Sequence, residues 1–507
     1  MSVVAKTASA DACPLLIAGE WAGSNATRFA DVWNPSSGEV IARTPLCEAD
    51  EIDRAVQAAA KAFPAWRETP APDRARVMFR FRELLARDAE NLARIVTREH
   101  GKTLAESRAS VQRGLEMVEF ACGLPALLAG EIVENLAPSV DCETVRHPLG
   151  VVVGVTPFNF PAMVPLWMFP NALVCGNCFV LKPSERVPLS AIRLGELLVE
   201  AGVPAGVFSI VHGDRVAVDA LLTHPLVQAI SFVGSTTVAR HIYTTGTAHG
   251  KRVQANGGAK NHIIIMPDAD LDLTVPALQA AAFGCAGERC MAASLALPVG
   301  NIADELVTRL AGAAATMRVG RTDIGADVDM GPLITRAHAD RVRAHVDTAQ
   351  SEGARVVTDG RTTRVADAPG GFFFGPTVVD HVKRGMRIAR DEVFGPVLSV
   401  TRVGSLDEAL ALGDACEYGN GAVIYTRSGR AAREFKRRFN AGMIGVNVGV
   451  PAPMAWFPFT GWNASFFGDL HIQGREGMLF YTQQRMTMTR WPESRDKFDP
   501  VWRPGKA

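Results

Sequence analysis

The sequence lacks a net charge, because 53 lysine and arginine residues balance 53 aspartate and glutamate residues. Such a chain offers no basic surface for nucleic acid or for an anionic membrane, so neither is expected as a partner. The start of the sequence lacks an apolar secretory segment, and the nine cysteines are an odd number. We therefore expect a cytoplasmic protein whose cysteines are reduced.

The common motifs for nucleotides and metals are also missing. A G-x-G sequence at 419–421 has no third glycine, and neither the phosphate-loop motif nor H-E-x-x-H occurs. The eleven histidines show no metal-ligand spacing, so no metal is expected. Cys175 and Cys178 form a C-x-x-C pair between apolar segments, and we expect both to be buried and inert.

One uncharged stretch, 147–181, is long enough to cross a bilayer. It contains prolines at 157, 161, 165 and 170 and asparagines at 159, 171 and 177. Proline removes a backbone donor and asparagine adds a polar amide, so a membrane-spanning helix would be poor here. A buried strand, a turn, a helix and a second strand fit the stretch better.

Apolar strands alternate with helical segments in two series, which predicts two α/β units. At about 150 residues per domain, the 507 residues allow two to four domains. The first series predicts a doubly wound parallel sheet, in which ligands bind beyond the carboxyl ends of the strands. Asp50 is expected to cap an early helix, and the segment after Tyr481 to form an exposed strand. The predicted strands are 151–155, 179–182, 207–212 and 229–233, followed by 262–265, 295–299, 356–358 and 423–425.

Five segments, in their order and spacing, resemble the aldehyde dehydrogenase superfamily from roughly Leu15 to Trp491. The resemblance implies an NAD-binding domain (15–128 and 149–258), a second α/β catalytic domain (259–446) and a small β oligomerisation unit (129–148 and 470–495). It also implies a homotetramer built as a dimer of dimers. The segments are 156–161 (TPFNFP), 182–185 (KPSE), 232–236 (FVGST), 284–290 (GCAGERC) and 392–396 (EVFGP).

The same resemblance implies an NAD site. Glu185 can accept hydrogen bonds from the ribose hydroxyls and would repel a 2′-phosphate, which favours NAD over NADP. Ser235 opens a helix and offers a seat for the pyrophosphate. Ala239 departs from the family, which commonly has glycine near this turn. The residues expected to hold the cofactor are Thr156, Phe158, Lys182, Glu185, Arg186, Ser235, Gly257 and Glu392.

Cys290 is identified by the resemblance as the catalytic nucleophile. Its thiolate would attack an aldehyde to give a thiohemiacetal, which is oxidised to a thioester. The side-chain amide of Asn159 and the backbone N–H of Cys290 would stabilise the oxyanion. Cys285, five residues earlier, is expected to be structural.

Asn256 stands where hydrolytic members of the superfamily have the glutamate that activates water. An amide cannot accept a proton near neutral pH, and losing a positioned base slows a reaction about 10²–10⁴-fold. Coenzyme A, whose thiol needs little activation, is therefore the expected acyl acceptor. This swap resembles the CoA-acylating methylmalonate-semialdehyde dehydrogenase branch, although Glu288 replaces that branch's usual glutamine.

The branch implies methylmalonate semialdehyde and malonate semialdehyde as substrates. Arg113 and Arg289 match the branch and would grip the substrate carboxylate. Decarboxylation would then give propionyl-CoA or acetyl-CoA, with NADH and carbon dioxide or bicarbonate. Two alternatives stay open: a hydrolytic aldehyde dehydrogenase in which Glu288 serves as the base, and a non-catalytic protein that uses the fold. The sequence leaves open which semialdehyde is used.

Overall fold

A computed structural model describes residues 11–325 and 327–491, and it has two large sheets, each with its own apolar core. The first sheet has eight strands, of which the central five run parallel. Its strands, in spatial order, are Glu20–Ala22, Leu15–Ile17, Phe208–Ile210, Cys178–Lys182, Val151–Val155, Val227–Val233, Arg252–Asn256 and Phe466–Phe467.

The second sheet has seven strands, six of them parallel. In spatial order they are Arg355–Thr358, Thr377–Asp380, Val397–Val400, Leu295–Pro298, His262–Ile265, Gly421–Tyr425 and Met443–Val446. The α/β fold class and all eight strands expected from the alternating pattern are therefore confirmed, with ends that shift by a few residues. The strand expected over 207–212 is shorter than expected and covers only Phe208–Ile210.

Helices cover both faces of the parallel strands, which is why strands such as Val151–Val155 are buried along their whole length. The α-helices are Ala49–Glu68, Ala71–His100, Leu104–Cys122, Leu124–Leu127, Met163–Val174, Leu189–Glu200, Arg215–Thr223, Thr236–Ala248, Leu271–Phe283, Ala303–Ala315, Arg336–Ser351, Arg387–Arg390, Leu406–Asp414, Gly429–Arg438 and Gly474–Phe480.

Asp50 does not cap its helix, so that expectation is wrong. The helix begins at Ala49 with Glu48 at the N-cap position, and Asp50 lies in its first turn. An aspartate in the first turn is also favoured, because its carboxylate faces the positive end of the helix dipole. Asp50 therefore indicates the helix start, although it lies two residues after the N-cap residue.

The uncharged stretch folds as expected into the strand Val151–Val155, the helix Met163–Val174 and the strand Cys178–Lys182. Cys175 and Cys178 are buried and unpaired there. Within residues 11–325 and 327–491, no helix combines the length and the apolar character that a membrane crossing requires.

A small third sheet lies apart from the two large ones. Its strands are Thr482–Arg490, Val140–Pro148 and Glu131–Ala137, in that order and antiparallel. This confirms the strand expected after Tyr481. Residues 492–495 of the expected oligomerisation unit lie outside the described residues. Short two-stranded ladders join Phe29–Asn34 to Glu39–Pro45 and Tyr418–Gly419 to Trp462–Asn463.

Candidate active site

A cavity of about 870 Å³ opens beyond the carboxyl ends of the first sheet's parallel strands. The register of the sheet pairs Val155 with both Lys182 and Phe232, so three strands end at the same edge. All the residues that the sequence assigned to the cofactor line this cavity, and their role in binding stays a prediction. They are Thr156, Phe158, Lys182, Glu185, Arg186, Ser235, Gly257 and Glu392.

Lys182 is held at the end of its strand. Its Nζ donates to the backbone oxygen of Gly213 at 2.7 Å and lies 3.5 Å from Oε2 of Glu185. Burial lowers the pKa of Lys182, and the nearby Glu185 opposes that shift. The pair therefore presents a cation and an anion side by side at the cavity wall.

The helix Thr236–Ala248 begins at the cavity with Ser235 as its N-cap residue. Its first N–H groups have no partner within the helix, so this end favours a negatively charged ligand. Ala239 is fully buried within the helix and does not line the cavity. The replacement of the family's usual glycine by Ala239 therefore does not change the cavity lining.

Glu392 lies across the cavity, with its Oε1 accepting the backbone N–H of Ala259 at 3.0 Å. Burial raises its pKa to about 7. A Cβ added at Gly258 would approach Oε2 of Glu392 to 2.5 Å, so a side chain there would displace this carboxylate. Phe394 and Phe158 meet edge to face nearby, with ring centroids 5.8 Å apart.

Cys290 lines this cavity and also a second, smaller one of about 250 Å³. Burial raises the pKa of its thiol to about 12, and the carboxylate of Glu392 adds to that shift. The thiol is therefore protonated near neutral pH in this structure. A cation brought to this junction would lower its pKa and favour the nucleophilic thiolate.

Asn159 reaches the same junction from the first sheet. Its Nδ2 donates to the backbone oxygen of Glu288 at 3.0 Å, which uses one of the two amide hydrogens. Its own backbone oxygen accepts from Nζ of the buried Lys102 at 2.6 Å. The structure thus brings Asn159 and Cys290 to one cavity and leaves an amide hydrogen for a further acceptor.

Arg113 and Arg289 both line the smaller cavity together with Cys290. Each arginine is paired with a glutamate: Arg113 lies 3.0 Å from Glu116, and Arg289 lies 3.2 Å from Glu106. Much of the remaining lining is apolar, so the two guanidinium groups are the cations that a carboxylate would meet there. The apolar residues include Met117, Met163, Trp167, Met291, Val450 and Phe459.

Asn256 and Glu288 line neither cavity. Asn256 ends its strand fully buried, and its Oδ1 has no hydrogen-bond partner among residues 11–325 and 327–491. Glu288 is also buried, with Oε1 accepting the backbone N–H of Ile334 at 3.1 Å. Burial raises the pKa of Glu288 to about 8. Its carboxyl therefore lies behind the active site.

Several residues of the site were not found from the sequence. Glu106 and Glu116 hold the two arginines of the smaller cavity, and Lys102 holds the backbone of Asn159. Arg215 and Arg341 add cations to the larger cavity. The signal T-x-x-E at 103–106 indicates a helix start, but it does not reveal which distant loop the glutamate contacts.

No group of three or more histidine, cysteine, aspartate or glutamate side chains suited to a metal ion occurs in the part of the chain that the structure describes. The site places a cysteine thiol, Cys290, between two cavities. The larger one has the position and lining of a nucleotide site in a doubly wound sheet. The smaller one contains two arginines, so the fold and the site together define a nucleotide-dependent enzyme with a cysteine thiol between its two cavities.

The chain belongs to the aldehyde dehydrogenase family, whose sequence model matches residues 21–487. It is 52% identical over 474 residues to malonate-semialdehyde dehydrogenase 2 of Geobacillus thermodenitrificans, covering 94% of this chain and 98% of that relative. The crystal structure of methylmalonate-semialdehyde dehydrogenase from Oceanimonas doudoroffii superimposes with a TM-score of 0.94 at 49% identity, covering 96% and 99% of the two chains. A Sinorhizobium meliloti structure complexed with NAD gives a TM-score of 0.94 at 44% identity, with the same coverage.

Proposed function

We propose that this protein oxidises malonate semialdehyde and methylmalonate semialdehyde with NAD and transfers the acyl group to coenzyme A, with loss of the carboxylate. The names of its relatives support the substrate class. The observation that carries the proposal is the smaller cavity, in which Cys290 lies with Arg113 and Arg289. A β-oxo acid carries an aldehyde and a carboxylate, and this cavity offers a partner for each.

The larger cavity fits NAD. The hydroxyl of Thr156 lines it and is a buried polar atom without a partner in the described chain, so a bound ligand could satisfy it. Glu185 and Glu392 would accept ribose hydroxyls, and the start of the Thr236–Ala248 helix would face the pyrophosphate. The nicotinamide, when bound, would supply a positive charge and the capacity to accept a hydride, that is, two electrons and one proton, from the substrate.

Cys290 performs the first step. Its sulfur attacks the aldehyde carbon, so that an S–C bond forms, the carbonyl π bond breaks and the oxygen gains a negative charge. Asn159 and the backbone N–H of Cys290 donate to this oxyanion, and each such donor is typically worth about 3 kcal/mol. The thiol proton passes to solvent water in the cavity before the attack, and a cation at the junction would assist that loss. Oxidation then leaves a thioester on Cys290.

Arg113 and Arg289 hold the carboxylate while the thioester forms. In that acyl group the carboxylate is attached to the carbon next to the thioester carbonyl. When its C–C bond breaks, carbon dioxide leaves and the electron pair becomes a thioester enolate. The donors that held the first oxyanion stabilise the enolate oxygen, and a proton on carbon completes the acetyl or propionyl group.

Transfer to coenzyme A is supported by the two residues that were considered as activators of water. Asn256 cannot accept a proton from water, and Glu288, the acid nearest to Cys290 in sequence, lines neither cavity. A thiol needs less activation than water, because a few per cent of a free thiol with a pKa of about 8.5 is already ionised at pH 7. The thioester is therefore expected to persist until coenzyme A arrives.

The domain organisation and the homotetramer are also part of the proposal. The small sheet ends in the edge strand Glu131–Ala137, on which Ile132, Val133 and Leu136 are exposed, and it carries Met486 exposed on its other edge. Exposed apolar edges of this kind suit pairing with a second copy of the chain. Segments 129–148 and 470–495 would form the oligomerisation unit, 15–128 with 149–258 the NAD-binding domain, and 259–446 the catalytic domain.

Mass spectrometry of the acyl product tests the proposal. Purified enzyme is given NAD and malonate semialdehyde, with and without coenzyme A. We expect acetyl-CoA with coenzyme A and only slow turnover without it. Rapid release of free carboxylic acid without coenzyme A would contradict the transfer step and favour the hydrolytic alternative. The same assay with methylmalonate semialdehyde, compared by rate with malonate semialdehyde, identifies the preferred substrate.

A further inference from the structure

Glu106 is the third residue of the helix Leu104–Cys122, and both of its carboxylate oxygens are used. Oε2 accepts the backbone N–H of Thr103 at 3.0 Å and its hydroxyl at 3.1 Å, while the N–H of Glu106 donates to Oγ1 of Thr103. This is a capping box, in which two residues satisfy each other's free N–H groups at the start of a helix.

The other oxygen of Glu106 reaches the loop that carries the nucleophile. Oε1 accepts the backbone N–H of Cys285 at 2.6 Å and a guanidinium hydrogen of Arg289 at 3.2 Å. Glu106 and Arg289 line the smaller cavity beside Cys290. One side chain therefore joins a helix start, the nucleophile loop and one of the two arginines.

The loop needs such support because its backbone is unusual. Cys285 and Ala286 have φ of 51° and 50°, and Gly287 follows with φ of 71°. Two successive non-glycine residues in the left-handed region are strained and persist only when their surroundings hold them. The N–H of Cys285, the first of these residues, is the group that Glu106 binds.

Glu106 also belongs to the helix that carries the second arginine, Arg113. Arg113 lies seven residues further along the same helix, so both side chains project from one face of it. Attaching the helix start to the loop therefore sets the spacing between Arg113, Arg289 and Cys290. The preceding Lys102 donates to the backbone of Asn159, so segment 102–106 contacts both sides of the oxyanion site.

We propose that Glu106 is a positioning residue that determines substrate specificity: it holds Arg289 and the Cys290 loop at the correct distance from Arg113. The inference rests on the proposed function for its substrate, a short aldehyde that carries a carboxylate. Glutamine cannot replace Glu106, because an amide has a single acceptor oxygen and can serve either the cap or the loop. Substrates with a carboxylate depend on this spacing, and aldehydes without one do not.

Glu106→Gln is compared with wild type on malonate semialdehyde and on propanal, which lacks the carboxylate. A misplacement of about 1 Å can slow a reaction about 10²-fold, so we expect the preference for the semialdehyde to fall at least about tenfold. Alkylation of Cys290 by iodoacetamide, followed by peptide mass spectrometry, should become at least about threefold faster, because the loop loosens and Arg289 is released beside the thiol.

Glu408→Gln is the matched control. Glu408 accepts the N–H of Gly404 at the start of the helix Leu406–Asp414, where Ser405 is the cap, and it lines neither cavity. This variant should leave the activity on both aldehydes and the alkylation rate of Cys290 unchanged. Glu106→Asp keeps the charge and both oxygens on a shorter side chain. Its substrate preference and alkylation rate should lie between those of wild type and Glu106→Gln, and it replaces Glu106→Gln in the test if that variant does not fold.

An unchanged preference and an unchanged alkylation rate in folded Glu106→Gln would overturn the inference. An equal loss for both aldehydes with unchanged alkylation, accompanied by a lower thermal midpoint, would reduce Glu106 to a helix cap and overturn it as well. If wild type makes no acyl-CoA or does not prefer the semialdehyde, the proposed function fails. The alkylation rate then still decides whether Glu106 positions the loop.

Discussion

The two cavities that meet at Cys290 are built in different ways. The larger one is formed by the ends of neighbouring parallel strands and by the start of the helix Thr236–Ala248. The smaller one is lined by the helix Leu104–Cys122, by residues 160–167, by the loop 285–291 and by residues 450–473, which are far apart in sequence. Sheet topology thus determines the larger cavity, whereas long-range side-chain pairs determine the smaller one.

Charge is arranged differently as well. In the smaller cavity, each arginine pairs with a glutamate of the helix Leu104–Cys122: Arg113 pairs with Glu116, and Arg289 pairs with Glu106. An arriving carboxylate must compete with these partners, so affinity there depends on accurate placement. The larger cavity joins side-chain charges to backbone N–H groups at a helix start, which tolerate small side-chain changes. Variants of the smaller cavity should therefore have the larger and more selective effects.

Cys290→Ala should have the largest effect, because this residue belongs to both cavities. We expect NADH formation to fall at least about 10³-fold with any aldehyde, since no other group forms the covalent intermediate. NAD binding, measured by titration calorimetry, should change by less than about threefold. Activity above about one per cent of wild type would show that the nucleophile lies elsewhere.

Arg113→Ala should separate the two cavities. Hydrogen bonds to a charged group contribute about 1.5–3 kcal/mol, so kcat/KM for malonate semialdehyde should fall about 10–100-fold. The value for propanal and the KM for NAD should stay within about threefold of wild type. Steady-state rates on the two aldehydes provide the measurement. Equal losses on both substrates would show that Arg113 supports the structure rather than the substrate carboxylate.

Glu185→Gln should affect the larger cavity alone. The amide can still donate to and accept from hydroxyl groups, but it no longer repels a 2′-phosphate. We expect the ratio of kcat/KM for NAD to that for NADP to fall about tenfold, which corresponds to about 1.4 kcal/mol. The preference for malonate semialdehyde over propanal is the internal control and should not change. A constant cofactor ratio would remove Glu185 from cofactor selection.

The difference between the cavities also explains what could be predicted from the sequence. Lys182 is the last residue of a strand and Ser235 is the N-cap residue of a helix, so a local pattern predicts that they line the edge of the sheet. Glu106 meets Cys285 across 179 positions of sequence, and no local pattern predicts which loop a capping glutamate will contact. Arg113 and Arg289 were expected from the family resemblance, but their glutamate partners required the folded structure.

Glu288 provides the smallest expected effect and tests whether the alternative base keeps its proton in the folded protein. Its carboxyl faces the buried side chains of His100 at 3.8 Å and His338 at 3.4 Å, and burial raises its pKa to about 8. The pKa of both histidines is lowered by their own burial, so they stay neutral. The cations Lys102, Arg186 and Arg341 favour ionised Glu288, but burial has the larger effect on its pKa. The folded protein therefore keeps a proton on Glu288 that the unfolded chain loses at lower pH.

The sign of the pH dependence follows from this difference. Because the pKa of Glu288 is higher in the folded than in the unfolded chain, its contribution to stability is fully present below the unfolded pKa of about 4.3 and is lost as pH rises towards about 8. Glu288→Gln removes this loss. Its thermal midpoint relative to wild type should rise from pH 5 to pH 8 by about 2–4 °C and then level off. A constant difference across this range would show that Glu288 is ionised in the folded protein, and the hydrolytic alternative would regain its base.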